Sequence, residues 1–382
     1  QVKEEQSSIS KEYMEKVLAY VSAFPKMEEG IEDPNDLIKY KDVIKILLDE
    51  LFPYILTNNE IKTASLPFHN LVFNSSRRFK NILEKAGDDF ELAMRNIDED
   101  MYYIYGCILI LNHYYGYKID FSRPLYYDIP DETGILKHYR IALNADFVDI
   151  EKGENAIDIS EDDVDHLIQN IEDAELWRKM FPPLSWTFKG FIIMNLTDVT
   201  VDDAISDLKT TLLHKETSDE EELLKFQEIF QSIYRLPDIR VGFTVFNKEN
   251  MVFEHMENRE ASSFILDDKK VADCKESICD ETFKKLIEEQ NYFSINNVER
   301  YAKETKNNQL SQHLLKNNVM SCIFAPIAVE NELWGILELV SYRKNELNSI
   351  NAIKLDDILP YIVTAVERNR SEYENKVKAV IQ

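Results

Sequence analysis

The first half of the chain places four catalytically useful side chains on or beside one predicted strand: His138, Arg140, Asp146 and Asp149. A histidine with nearby carboxylates can move protons, and an arginine can bind an anionic substrate. These residues support one hypothesis, an enzyme that turns over nucleotides or phosphoesters in an N-terminal active site.

Glycine and histidine spacing excludes the common catalytic motifs. The nine glycines never lie closer than ten residues apart. Phosphate-binding loops, dinucleotide-binding loops and the nucleophile elbow all need closer glycines. No two of the seven histidines lie within five residues, which removes the paired-histidine zinc motif. We therefore expect no catalytic residues of these classes.

The four cysteines, Cys107, Cys274, Cys279 and Cys322, are too few for a disulfide framework in a chain of 382 residues. We interpret them as reduced thiols of a cytoplasmic protein. Cys274 and Cys279 lack a nearby second Cys or His pair, so no metal site is expected.

The chain is strongly acidic, with a formal net charge of -26 and a pI near 4.7. Such a surface repels phosphate backbones and anionic lipid, so neither nucleic acid nor membrane is expected as a partner. No apolar run is long enough to span a bilayer. Arg77-Arg78 is the only Arg pair. It is either an anion-binding pair or an exposed pair that bridges to carboxylates.

Residues 1–200 predict an α+β domain, mostly helical with a small sheet. Alternating apolar residues indicate a strand at 139–147, with others at 186–196 and 125–129. A helix is expected over 161–180, ending at Pro182-Pro183. Helical spacing at 201–217 predicts a connecting helix or linker.

Residues 218–370 have a different order of elements. A capping box at Ser218 opens a helix, and a hairpin follows at 239–247 and 251–254. A helix, a short strand and another helix come next. Two apolar strands at 320–329 and 333–342, joined by a turn at 330–332, precede a closing helix from about 351.

This order resembles the GAF domain. The specific match is the run Ser321 to Ile327, ending in Pro-Ile, followed by the run Leu333 to Leu339 with Gly335 inside it. The resemblance implies an antiparallel sheet with its first and last helices on one face and a small-ligand pocket on the other. The cyclic-nucleotide motif is incomplete at Asn247-Lys248, and no His lies near Cys274 or Cys279 for a bilin. The cofactor therefore stays unknown, and residues 1–200 resemble no family.

Glu338 is the most informative residue of this region. It interrupts an apolar strand face formed by Trp334, Ile336, Val340 and Tyr342. It is either a pocket acceptor for a ligand or a structural ion pair or exposed edge. Given the resemblance, the remaining ligand-binding candidates are Cys322, Phe324, Thr244 and Asn296.

The sequence thus predicts a cytoplasmic sensory or regulatory protein that binds a small molecule or partner. Two alternatives stay open: the N-terminal enzyme, and a degenerate GAF domain that acts as a dimerisation scaffold. Heptad-like spacing of Val366, Tyr373 and Val380 predicts a homodimer through helices 218–235 and 351–380. Residues 371–382 are expected to form an extended signalling helix. We expect the chain to be a piece of a longer protein.

Overall fold

The computed structural model describes residues 8–31, 36–37, 39–49, 51–66, 72–95, 97–120, 124–213, 219–255, 263–267, 269–306, 308–364 and 367. Within these residues the helices are α1 (Ser8–Val21), α2 (Pro25–Glu29), α3 (Lys41–Leu47), α4 (Arg77–Ala86), α5 (Glu99–His113), α6 (Glu161–Gln169), α7 (Ala174–Met180), α8 (Thr200–Leu213), α9 (Asp219–Tyr234), α10 (Cys274–Ser277), α11 (Asp280–Phe283), α12 (Val298–Glu304), α13 (Gln309–Lys316) and α14 (Ser349–Ala352). The strands are β1 (Ile61–Ser65), β2 (Val72–Ser75), β3 (Leu125–Pro130), β4 (Leu136–Asn144), β5 (Val148–Lys152), β6 (Trp186–Gly190), β7 (Ile192–Asp198), β8 (Arg240–Asn247), β9 (Val252–Glu254), β10 (Val271–Asp273), β11 (Phe293–Ile295), β12 (Ser321–Val329) and β13 (Glu332–Ser341).

The chain divides into two compact units. The first comprises residues 1–132 and 137–198, and the second comprises residues 133–136 and 199–382. Each unit combines helices with antiparallel strand pairs. The predicted α+β class is therefore confirmed.

The first unit contains a sheet in the order β2-β1-β7-β4-β3. The apolar helix α5 and the rings of Phe79, Trp177 and Phe181 are buried in its core. Strands β3 and β4 lie close to their predicted positions. Strands β1 and β2 were not predicted, because their short sequences, IKTAS and VFNS, lack a clear apolar alternation. The sheet is consequently larger than the sequence indicates.

The single strand predicted over 186–196 is wrong, because Gly190 divides it into β6 and β7. Gly190 has a φ of 89°, and a Cβ at this position would lie 2.0 Å from the Phe147 carbonyl oxygen. Strand β6 pairs with β5, whereas β7 pairs with β1 and β4. Glycine tolerates this backbone conformation and close approach, and it lets the chain pass from one sheet to another.

The single helix predicted over 161–180 is also wrong. The segment forms two helices, α6 and α7. The apolar spacing continues through it, but capping side chains start a new helix at two places. Ser160 and Asp163 form a capping box that starts α6. The Asp173 side chain accepts a hydrogen bond from the Leu176 amide at 3.0 Å and starts α7.

The second unit is built on a six-stranded sheet in the order β10-β9-β8-β13-β12-β11. Strands β12 and β13 pair side by side along their length, which confirms the two predicted apolar strands. They are joined by Glu330 and Asn331, whose φ angles are 51° and 64°. Two consecutive positive φ angles are typical of a tight type I′ hairpin, whose twist matches that of the strands.

Both faces of this sheet are covered. On one face α8, α9 and the segment containing Leu355, Ile358 and Ile362 pack against Leu337 and Leu339. A second apolar cluster, drawn from residues 246–340, covers the other face. Strands β12 and β13 are nearly continuously apolar because both of their faces are buried.

A β-bulge at Trp334 corrects one expectation. Ile327 pairs with Gly335 and Ala328 with Leu333, so Trp334 is left between two pairs. The side chain of Trp334 therefore packs on the face of the long helices, opposite Glu338, and contacts Phe243 at 5.3 Å between ring centroids. The prediction that Trp334 shares a face with Glu338 is wrong, because the extra residue reverses the alternation.

The predicted signalling helix at 371–382 and the seam residues Val366, Tyr373 and Val380 lie outside the described residues. So do positions 214–218 of the predicted linker and capping box. Helix α8 packs into the second unit through Ala204 and Leu208. In the described part of the chain, no helix combines the length and the apolar character required to cross a membrane.

Candidate functional site

Glu338 lies in the middle of β13 and is fully buried, with 0% of its surface exposed. Its strand neighbours are Phe324 on β12 and Gly242 on β8. The residues beside it on the same face, Ile336 and Val340, belong to the apolar cluster. A charged group in such surroundings is unfavourable unless polar partners compensate for lost hydration.

The partners of Glu338 are hydroxyl and amide groups rather than a cation. One carboxylate oxygen, Oε1, accepts hydrogen bonds from the hydroxyl of Thr244 and from the hydroxyl of Ser263 at 3.1 Å. The other oxygen, Oε2, accepts from the backbone amides of Phe264 at 2.6 Å and Ile265 at 3.2 Å. A carboxylate has about four acceptor positions, so these donors fill it.

These bonds hold a short segment, residues 263–267, over the sheet. We call it the cover segment. Ile265 and Leu266 are fully buried in the apolar cluster. The Ile265 carbonyl lies 3.0 Å from Nδ1 of His313, and Asp267 pairs with Lys316 at 2.6 Å. The cover segment is thus held at one end by Glu338 and at the other by α13.

Burial raises the pKa of Glu338 to about 7, although the four hydrogen bonds oppose that rise. The two carboxylate oxygens differ in whether their hydrogen-bond partners can also accept a hydrogen bond. Oε2 faces amides, which can only donate, whereas Oε1 faces the hydroxyls of Thr244 and Ser263, which can also accept. A proton can therefore sit on Oε1 without breaking the amide bonds. Glu338 can change its charge near neutral pH while still holding the cover segment.

The structure brings four of the five predicted site residues together. Thr244 bonds directly to Glu338, Phe324 lies opposite it, and Cys322 follows two residues away on the same face of β12. All are fully buried. Burial and the Glu338 charge raise the pKa of the Cys322 thiol, so it is unreactive.

Asn296 lies apart from this cluster. It is exposed just beyond β11, and its side-chain amide donates to Asn345 at 3.1 Å. Sequence reasoning missed Ser263, Phe264 and Ile265. The last two act through backbone amides, which any residue type provides, so no sequence signal marks them. Neither of the predicted structural roles of Glu338, ion pair or exposed edge, describes it.

A second polar cluster in this unit surrounds Cys279, which is partly exposed. Its sulfur lies 3.1 Å from the Thr282 hydroxyl and 3.2 Å from the Tyr301 hydroxyl. Burial opposes ionisation, but these hydroxyls and nearby backbone amides together lower the pKa of the Cys279 thiol. In contrast, burial raises the pKa of Cys274 to about 12. Cys279 is thus more easily ionised than Cys274 or Cys322.

The residues of the enzyme hypothesis are not gathered into one site. His138 on β4 bonds to Asp128 at 2.7 Å, and Arg95 bonds to the same carboxylate at 2.8 Å. Asp146 is exposed in the turn after β4 and accepts from Asn144 at 3.0 Å. Asp149 is exposed on β5, in the other sheet of the unit.

The described residues contain no group of three or more His, Cys, Asp or Glu side chains placed to hold a metal ion.

No protein-family model and no curated protein matches the chain. Among solved structures, a phycoerythrobilin-bound GAF domain from a cyanobacterial phytochrome is similar at 13% identity and a TM-score of 0.34, covering 46% of this chain and 98% of that one. The free methionine-R-sulfoxide reductase of Neisseria meningitidis is similar at 11% identity and 0.33, covering 45% and 91%. The GAF domain of an Acinetobacter phosphoenolpyruvate-protein phosphotransferase is similar at 9% and 0.31, covering 44% and 93%.

Proposed function

We propose that the second unit is a GAF-like sensory domain that binds a small molecule on the Glu338 face and regulates the rest of the protein. One observation carries the proposal. A fully buried carboxylate lies within an apolar sheet, and it holds a short cover segment through amides and hydroxyls. Burying a charge costs free energy, and an apolar side chain could hold the segment without that cost. A carboxylate at this position is explained if it exchanges the donors of the cover segment for donors of a ligand.

The ligand chemistry follows from what Glu338 accepts. A small molecule with N–H or O–H donors would replace the Phe264 and Ile265 amides at Oε2. Its body would contact apolar side chains such as Phe324 and Ile336. Because all acceptor positions are filled by the chain itself, binding requires the cover segment to move. The ligand shifts that equilibrium only by its preference for the opened form.

Two sets of contacts would carry the change onward. Thr244, bonded to Glu338, lies on β8, and the Val241 amide of the same strand donates to the Gln227 side chain of α9 at 3.0 Å. On the other side, Asp267 connects the cover segment to Lys316 on α13. Movement at Glu338 is therefore linked to a long helix through β8.

Ligand binding is tested by measuring the melting temperature of the full chain with a library of small polar metabolites. Native mass spectrometry of the purified protein then looks for a retained adduct. A sensor gives a concentration-dependent rise in melting temperature with at least one compound. Glu338→Gln replaces an acceptor with a donor at the same size, and it should remove that rise. If no compound raises the melting temperature, the scaffold alternative is favoured.

The same proposal includes a homodimer through α9 and the closing segment. Leu224 is 64% exposed on α9, one of the two segments through which the dimer is predicted, so it is a position at which the interface can be tested. Analytical ultracentrifugation of the full chain should show a dimer that Leu224→Glu weakens. Leu184→Glu is the matched control, since Leu184 is 99% exposed in the first unit. A monomeric wild-type protein would contradict this part.

The enzyme alternative is kept because Asp128 orients His138 at 2.7 Å with Arg95 on the same oxygen. Such a pairing can fix an imidazole for proton transfer. It predicts turnover of nucleotide or phosphoester substrates that is lost in Asp128→Asn, which removes the carboxylate partner of His138. Turnover that survives that substitution, or none at all, would count against it.

A further inference from the structure

A groove in the first unit, separate from the Glu338 cluster, has the composition of an anion site. Its volume is about 540 Å³, within the range of pockets that hold small organic molecules. It lies between the α3 segment and the junction of β2 with α4. Lys45, Arg77 and Lys80 line it, together with a single carboxylate, Asp49.

The side chains of the three cations are available to a ligand. Within the described residues Lys45, Arg77 and Lys80 take part in no ion pair. The neighbouring Arg78 differs, since it donates to the Asn59 carbonyl at 2.7 Å. Of the Arg pair, Arg78 is structural and Arg77 is available.

Helix α4 places two of these cations together. Arg77 and Lys80 are three residues apart in its first turn and so lie on one side of the helix. The Ser76 hydroxyl accepts from the Phe79 amide at 3.3 Å, and the Thr57 carbonyl accepts from the Arg78 amide at 2.9 Å. These helix amides are already used. An anion in the groove would therefore be held by the cationic side chains, with the helix dipole adding to their field.

Two aromatic side chains also line the groove, together with Thr57, Asn74 and Ser75. Phe52 is 8% exposed, whereas Tyr54 is 83% exposed and free to contact a ring. Three cations against one carboxylate leave an excess of positive charge, which suits an anion with several oxygens. Phosphate groups match this arrangement, since arginine binds them through two N–H groups and lysine as a point charge.

We infer that this groove binds a small phosphorylated molecule, with its phosphates between Lys45, Arg77 and Lys80 and its organic part against Tyr54. The inference is independent of the sensory function proposed for the second unit.

Isothermal titration of the full chain with ADP and with inorganic pyrophosphate, at low ionic strength, tests this inference. We expect submillimolar binding of ADP, weakened by added salt. Arg77→Glu should weaken binding about 10-fold or more, because it reverses a charge in contact with the phosphates. Lys303→Glu makes the same charge change on exposed α12 of the second unit, and it should leave binding unaltered. Equal weakening by both variants would overturn the site.

Two further variants sharpen the test. Asp49→Asn removes the one carboxylate of the groove and should tighten binding about 2- to 5-fold. Tyr54→Ala should weaken ADP but not pyrophosphate, because only ADP has a ring to stack. Arg77, Asp49, Tyr54 and Lys303 are all exposed, so these variants should fold, and a circular dichroism spectrum unchanged from wild type verifies it. Failure of wild-type protein to bind either probe would overturn the inference, and so would unaltered ADP binding in Arg77→Glu.

Discussion

The polar centre around Glu338 and the cationic groove at Arg77 are built in opposite ways. Glu338 is fully buried and its acceptor positions are filled by the chain's own donors. The cations of the groove are exposed and form no ion pair among the described residues. A buried polar group has to be satisfied in the absence of ligand, whereas an exposed one is satisfied by water. The first centre is therefore part of the folded core, and the second is not.

The largest expected effect comes from Glu338→Ala. The change leaves the Phe264 and Ile265 amides and the hydroxyls of Thr244 and Ser263 without their acceptor, and it opens a cavity between β13 and the cover segment. We expect a loss of about 3–5 kcal/mol in the free energy of unfolding of the second unit. Urea denaturation measures it, and hydrogen exchange should show faster exchange at the amides of the cover segment. A loss below about 1 kcal/mol would contradict the described role of Glu338.

The second effect is on pH dependence. The pKa of Glu338 is raised from 4.5 to about 7 in the folded state, so the folded protein keeps a proton that the unfolded chain releases. Its contribution to stability is therefore complete below pH about 4.5 and is lost as the pH rises towards about 7. This contribution is roughly 3 kcal/mol.

Glu338→Gln cannot titrate and serves as the reference for that experiment. The difference in unfolding free energy between wild type and Glu338→Gln should change by roughly 3 kcal/mol between pH 4.5 and 7.5, with wild type losing stability as the pH rises. Parallel pH profiles of the two proteins would show that the carboxyl does not titrate in this range.

A smaller effect is expected from Thr244→Val, which keeps the side-chain shape but removes one donor to Glu338. The other three donors remain, so the loss should be about 1–2 kcal/mol in unfolding free energy. In a double-mutant cycle with Glu338→Gln, the two changes should be non-additive, because the residues are in direct contact. Additive losses would mean that the hydroxyl stabilises the fold through something other than Glu338.

The smallest effect should come from the groove. The combined change Lys45→Ala, Arg77→Ala and Lys80→Ala removes three exposed cations without breaking an ion pair. We expect less than about 0.5 kcal/mol change in unfolding free energy, in either direction. A destabilisation as large as that of Thr244→Val would mean that the groove, like the Glu338 centre, is part of the fold.

The sequence predicts the second unit better than the first, for a physical reason. Strands β12 and β13 are buried on both faces, so their apolar runs are continuous and visible. In the first unit, Gly190 divides one apolar run between two sheets, and Asp173 divides one helical pattern into two helices. Such breaks depend on one residue each. Strands β1 and β2 are too short and mixed to give a pattern.

The candidate site was predicted in part for a similar reason. Glu338 is conspicuous because a charge interrupts an apolar strand, and Thr244, Cys322 and Phe324 follow from the pairing of neighbouring strands. The amides of Phe264 and Ile265 carry no side-chain signature, so no sequence pattern identifies them. Asn296 lies one residue beyond the end of β11 and bonds to Asn345 instead, and the sequence does not show where that short strand ends.

The bulge at Trp334 also determines which face of the sheet each side chain of β13 occupies. After the bulge, every second side chain of β13 points to the same face, so sliding the strand by one residue would exchange Glu338 with Leu337 or Leu339. The charge would then face the apolar cluster that lies between the sheet and the long helices. Trp334 and Gly335 fit only one alignment, because the Phe243 ring lies where a larger side chain at 335 would be. The bulge therefore fixes the register of the hairpin, and the register determines which face of the sheet carries the Glu338 carboxylate.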